Sequence, residues 1–129
     1  MGENEIGSVI VETAIDLHRG LGPGLLESVY ELLLAREIAE RGLLVERQVP
    51  IAIEYKGITF DEGFRADLVL ERKVIVEIKS VPNISGSHLK QLQTYLRLTG
   101  CRLGYLLNFG DEVMRTGIRR CVNGLEEHS

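Results

Sequence analysis

At Val45 the periodicity of this chain changes, and that change limits the folds open to it more than any other feature. Upstream, Ile6, Val9, Ile10, Thr13, Ala14 and Leu17 recur at helical spacing, so the segment from about Asn4 to Arg19 is expected to form an amphipathic helix ending at Gly20. After the Gly22-Pro23-Gly24 turn, Leu26, Val29, Tyr30, Leu33, Leu34 and Ile38 mark a second helix that stops at Gly42. From Val45 onward Val49, Ile51 and Ile53 alternate with Pro50, Ala52 and Glu54, the period of a strand with two unlike faces. Lys56-Gly57 offers a tight turn into Ile58 to Phe60. Two further β-rich runs, Phe64 to Leu70 and Val74 to Lys79, flank the charged turn Glu71-Arg72-Lys73 and are expected to pair antiparallel.

Beyond Pro82 the helical period returns: Ser87 is the expected N-cap of a helix running through about Leu98 and closing at Gly100. Arg102 to Phe109 then has the unbroken apolar centre of a strand buried on both faces. A turn at Gly110-Asp111 leads to an expected last strand from Val113 to about Val122, with Glu126 to Ser129 frayed. At 129 residues, without repeat, low-complexity tract or linker, the chain fits one domain that hides roughly two-thirds of its unfolded surface. The order of elements predicts an α/β fold with a mixed central sheet flanked by helices.

Composition excludes several functions. With 5% aromatic residues and no Trp, a base-stacking platform for single strands is not expected. A net charge of -4 opposes capture of nucleic acid by an overall positive field, so such contact must come from a local patch, with Arg65, Lys90, Arg97, Arg115, Arg119 and Arg120 as the available cations. Cys101 and Cys121 have neither zinc-finger nor disulfide-framework spacing. No apolar run is long enough to span a bilayer and the acidic start does not suit a signal peptide, so a reducing cytoplasmic setting is expected. Leu21-Gly22-Pro23-Gly24 is no dinucleotide loop: it follows no strand, and Glu27 stands where the third glycine belongs.

The chemistry concentrates in Val74-Ile75-Val76-Glu77-Ile78-Lys79. Alternation puts Glu77 and Lys79 on one face and Val74, Val76 and Ile78 on the other. A carboxylate in so apolar a strand needs a partner, because burying it alone costs several kcal/mol or shifts its pKa. On the preceding strand Asp67 shares a face with Arg65 and Val69, with Ala66, Leu68 and Leu70 opposite, and the short turn brings Asp67 alongside Glu77. Two carboxylates and an ammonium converge, and a hard divalent cation such as Mg²⁺ relieves the repulsion of the acids. The plainer alternative is a structural Glu77-Lys79 or Asp67-Lys79 ion pair, which an isolated D…E-x-K pattern more often marks.

Asp67 followed by Glu77-Ile78-Lys79 resembles the signature of the PD-(D/E)XK nuclease superfamily, with Ala66 in place of the eponymous proline. Gly24-Leu25-Leu26-Glu27-Ser28-Val29-Tyr30 resembles the motif that names its GxxExxY family, and the segments from His88 to Leu96 and from Leu106 to Gly110 are similar to that family too. The resemblance, from about Ile6 to Asn123, implies a restriction-endonuclease-like αβββαβ core and a Mg²⁺- or Mn²⁺-dependent nuclease acting on DNA more than RNA. It makes Asp67 and Glu77 metal ligands, Lys79 the catalytic lysine and Glu27 a further acid facing the metal. Gln91 and Tyr95 match a Q-x-x-x-Y helix motif that orders the site or contacts nucleic acid. On the same helical stripe His88 is a candidate metal or water contact, and Arg65 a candidate for phosphate.

Two readings stand against or beside this one. The acidic charge and small size also suit a non-catalytic nucleic-acid-binding or protein-interaction module that keeps the fold. A homodimer joined through the last strand or the first helix would let two small protomers embrace a duplex. His18, at the end of the first helix, is expected to be structural, as is Tyr30 with its hydroxyl hydrogen-bonded.

Overall fold

The computed structural model describes residues 1–126. Two helices lead, α1 (Glu3–Leu21) and α2 (Glu27–Glu40), followed by β1 (Val45–Tyr55), β2 (Ile58–Leu70) and β3 (Val74–Lys79). Then come α3 (Gly86–Thr99), β4 (Leu103–Asn108), the single-turn α4 (Met114–Gly117) and β5 (Ile118–Val122). The strands form one sheet in the order β1-β2-β3-β4-β5. All neighbours are antiparallel except β3 and β4, which run parallel with α3 as the connection between them.

Burial explains the layering. One face of the sheet, with Leu68, Leu70, Val74, Val76, Ile78, Leu103 and Leu107, packs on Ile6, Ile10 and Ala14 of α1 and on Tyr30, Leu34 and Ile38 of α2. The opposite face, with Val69, Ile75 and Leu106, packs on Leu92 and Leu96 of α3. Every residue of β4 is buried, as expected of a central strand covered on both sides. Among the described residues no helix is long and apolar enough to cross a membrane.

Four local expectations change. Ile58 to Leu70 is one continuous strand, because a register irregularity between Ile51 and Ile53 absorbs the polar stretch that separated two runs. Gly63 makes this possible: a Cβ there would stand 2.0 Å from Ile53 Cδ1. The N-cap of α3 is Ser85, whose hydroxyl accepts the His88 N–H, and Ser87 lies inside the helix. The chain after Asp111 makes a helical turn before its last strand, since Met114 is drawn into the core and Thr116 Oγ1 donates to Asp111 Oδ2 at 2.9 Å. Lastly, Ala66 joins Val69 and Ile75 instead of Leu68 and Leu70, so strict alternation fails at Asp67. Of the tail expected to fray, Glu126 to Ser129, residues 127–129 lie outside the described residues.

Candidate active site

The β2–β3 hairpin turns through Glu71 and Arg72, both left-handed, and its ladder runs from Leu70↔Val74 to Leu68↔Val76. One residue further the pairing passes from backbone to side chains. Asp67 N–H donates to Glu77 Oε2 at 2.9 Å, and Ile78 N–H donates to Asp67 Oδ2 at 2.8 Å. Each carboxylate thus satisfies a main-chain donor of the opposite strand, and the two acids are held together where the strands part. Glu77 is only 8% exposed. Burial, and next the charge of Asp67, push its pKa up to about 8. The Lys79 ammonium acts in the opposite direction. Among the described residues neither acid forms an ion pair with Lys79, so the plain structural pairing is not the one adopted.

The start of α2 is fastened to the end of β3. Tyr30, wholly buried, stacks on Phe109 with ring centroids 4.3 Å apart. Its hydroxyl donates to Gly22 O at 2.6 Å and accepts from Leu25 N–H at 3.1 Å, which sets the turn before the helix. Ser80, next to Lys79, donates its hydroxyl to Leu25 O at 2.7 Å and its N–H to Glu27 Oε2 at 3.1 Å. Glu27 and Asp67 consequently line one cavity of about 390 Å³ with Glu31, Arg47 and Gln48. A larger cavity, about 740 Å³, lies between the end of α1 and α4 but contains none of these residues. Beside it His18 shares a hydrogen bond with Asp111 O at 2.9 Å, a structural role.

From the other face α3 brings Tyr95. Its ring lies flat on Phe64, centroids 3.7 Å apart and planes within 6°. Burial, then the charges of Glu77 and Asp67, raise the pKa of its hydroxyl, while the adjoining Gln91 amide opposes them. His88 Nδ1 accepts the Ser85 N–H at 3.2 Å and closes the cap of α3. Arg65 grips Glu62 with two N–H groups at 2.6 and 3.0 Å. The structure therefore gathers Asp67, Glu77, Lys79, Gln91 and Tyr95, sets Glu27 at the rim, and gives His88 and Arg65 local partners.

A family model of the PD-(D/E)XK nuclease superfamily matches residues 4–121. The chain belongs to the PD-(D/E)XK nuclease superfamily. Its mixed five-stranded sheet with flanking helices is the restriction-endonuclease-like architecture of that superfamily. Membership implies a nuclease and hence a nucleic-acid substrate, and nucleases of the superfamily typically use divalent metals. Comparison with curated proteins and with solved structures gives no match.

The donor set of this PD-(D/E)XK protein fits such a cation. Asp67 and Glu77 offer oxygen ligands, which hard divalent ions prefer, and a cation would offset both the burial and the Asp67 repulsion that push the pKa of Glu77 up. Among the described residues no group of three His, Cys, Asp or Glu side chains stands ready as a complete ligand cluster. Waters and substrate oxygens commonly complete the shell of Mg²⁺.

Several residues of the site escaped sequence reasoning. Glu31, one turn after Glu27, is 5% exposed, accepts from Arg47 Nη2 at 3.1 Å and from Gln48 Nε2 at 2.5 Å, and Gln48 reaches on to Asp67. Asn108, fully buried, accepts from the N–H groups of Val81 and Gly110 and donates to Val81 O and Asp111 Oδ1. It ties the end of β4 to the residues just beyond Lys79. The position of Asn108 within a motif-like Leu-Leu-Asn-Phe-Gly run was a signal, and so was the four-residue spacing that puts Glu31 on the same helix face as Glu27; for Gln48 there was none.

Proposed function

We propose that this protein is a divalent-metal-dependent nuclease of the GxxExxY type that hydrolyses phosphodiester bonds, in DNA more than in RNA. The observation that carries the reading is the reciprocal capping of Asp67 and Glu77, which concentrates two acids at one buried point beside Lys79. Asp67 and Glu77 would hold Mg²⁺ or Mn²⁺, with Glu27 facing it directly or through water. What the ion supplies when bound is Lewis acidity toward a phosphoryl oxygen and a lowered pKa for coordinated water.

The remaining work falls to the chain itself. To hold the ion Glu77 would have to be ionised, against the burial that favours its neutral form. Lys79 places a positive charge where negative charge grows on the phosphate during attack, an electrostatic contribution that needs no rearrangement. Gln91 and Tyr95 border the acids from α3 and orient substrate, His88 fixes the first turn of that helix, and Arg65 can exchange Glu62 for a phosphate oxygen. A homodimer through α1 or the edge strand β5, in the cytoplasm, completes the proposal.

Labelled oligonucleotides incubated with Mg²⁺ or Mn²⁺ test it: cleavage is expected, abolished by EDTA and lowered about a thousandfold by Asp67→Ala. Activity that survives both treatments removes this mechanism. The acids are also satisfied by backbone N–H groups, as a binding module would need. Nucleic-acid binding without turnover, unchanged in Glu77→Gln, would identify that second reading.

A further inference from the structure

Four non-glycine residues among those described have a left-handed backbone: Gln48, Lys56, Glu71 and Arg72. For three of them the reason is local. Lys56 and Gly57 form the two-residue β1–β2 turn, and Glu71 and Arg72 open the three-residue β2–β3 turn, and tight hairpin loops of both lengths use positive φ. Gln48, with φ of 50°, sits inside β1. The pairs Arg47↔Leu68 and Val49↔Ala66 keep a common register on either side of it, so no inserted residue accounts for its conformation. Packing does not account for it either, because Gln48 is exposed. A side chain held in a sparsely populated conformation needs surroundings that fix it there, and such residues gather at functional sites.

Its side chain supplies that fixing. Nε2 donates to Glu31 Oε1 at 2.5 Å and to Asp67 Oδ1 at 3.3 Å. Both acceptors are carboxylates, which only accept when ionised, so the amide nitrogen and not its oxygen must face them. Glu31 is anchored in turn, buried on α2 and bonded to Arg47 at 3.1 Å. Asp67 Oδ2 is occupied by Ile78 N–H, so Gln48 takes the other oxygen and fixes the rotation of the carboxylate.

We propose that Gln48 is a positioning residue that orients Asp67 for metal binding, with Glu31 as the buried anchor that holds the Gln48 amide in place. The proposal rests on the metal-dependent reading given above. Gln48 touches no reacting atom; it acts through Asp67. Partners of this kind, one bond removed from a metal, are worth about 10- to 100-fold in affinity or activity.

Gln48→Gly separates this role from that of the unusual backbone, since glycine adopts the same φ without steric strain while losing the amide. Titration of the protein with Mn²⁺, followed by the loss of free-ion electron paramagnetic resonance, reads binding independently of cleavage. The expected result is a variant that still unfolds cooperatively, its melting temperature lowered by no more than a few degrees, with Mn²⁺ affinity of the folded protein weakened about tenfold or more and kcat lowered in parallel. Gln48→Asn, which keeps an amide but falls one methylene short, should lose Mn²⁺ affinity similarly. Wild-type affinity and kcat in Gln48→Gly overturn the positioning role and leave the nuclease reading intact. A wild-type protein that binds no Mn²⁺ overturns both.

Discussion

The two ends of the β2–β3 pair are a few residues apart and made of similar stock, yet they are held in different ways. At the turn end, Leu68, Leu70, Val74 and Val76 are fully buried on one face and their backbones ladder conventionally. At the open end the acids Asp67 and Glu77 take over the hydrogen bonding, each accepting from the partner strand. The turn end gains from removing apolar surface from water, about 1.5–3 kcal/mol for each large side chain. The open end forgoes that gain and brings two acids together, a repulsion relieved by a proton on Glu77 or by a cation. A single hairpin thus carries its own support at one end and a reactive group at the other.

The largest expected effect that sharpens this contrast is a pH dependence confined to the open end. The pKa of Glu77 stands near 8 in the folded protein, against 4.5 unperturbed. Because the folded state binds this proton more tightly, the contribution is fully present below about pH 4.5 and is lost as pH rises toward and through about 8. Thermal melts of metal-free protein should therefore lose stability across that window, on the order of 5 kcal/mol as an upper figure. Glu77→Gln should flatten the slope, and saturating Mg²⁺ should reverse much of it. A melting temperature independent of pH in the metal-free protein would contradict the buried acid pair.

Next in size is the turn end. Leu68→Ala leaves a cavity beneath α1 and α2 and should cost about 2–5 kcal/mol in urea unfolding. At low temperature, where the variant is still folded, its cleavage rate should stay near that of the wild type. A large fall in rate at full folding would mean that the two ends are coupled more tightly than the hydrogen bonds indicate. The smallest effect is expected at Arg65, whose ion pair with Glu62 is half-exposed. Arg65→Ala should not change the melting temperature. If Arg65 meets a phosphate, the variant should reduce by about 1 the slope of log binding affinity against log salt.

Most of the scaffold could be read from the residues because its determinants are repetitive. Helical spacing from Ile6 to Leu17, alternation after Val45 and the apolar run of β4 each repeat a pattern over several residues. Asp67 beside Glu77 followed from the same alternation and a short turn. What alternation could not show is that the ladder stops at Leu68 and that side chains replace it, or that Ala66 changes face there. The helical turn at Met114 was hidden because Val113 and Met114 suit a strand as well as a helix, and the deciding bond, Thr116 to Asp111, depends on tertiary placement. Gln48 was invisible for a similar reason: no residue type announces a left-handed backbone unless it is glycine or asparagine.

Reciprocal capping has a consequence for how substitutions combine. Removing either acid leaves one backbone donor of the other strand without its acceptor, while the surviving carboxylate keeps the N–H that it already accepts from. If both acids hold one ion, losses of cleavage at positions 67 and 77 are strongly non-additive, the double variant being little worse than the poorer single one, whereas their losses of backbone pairing add.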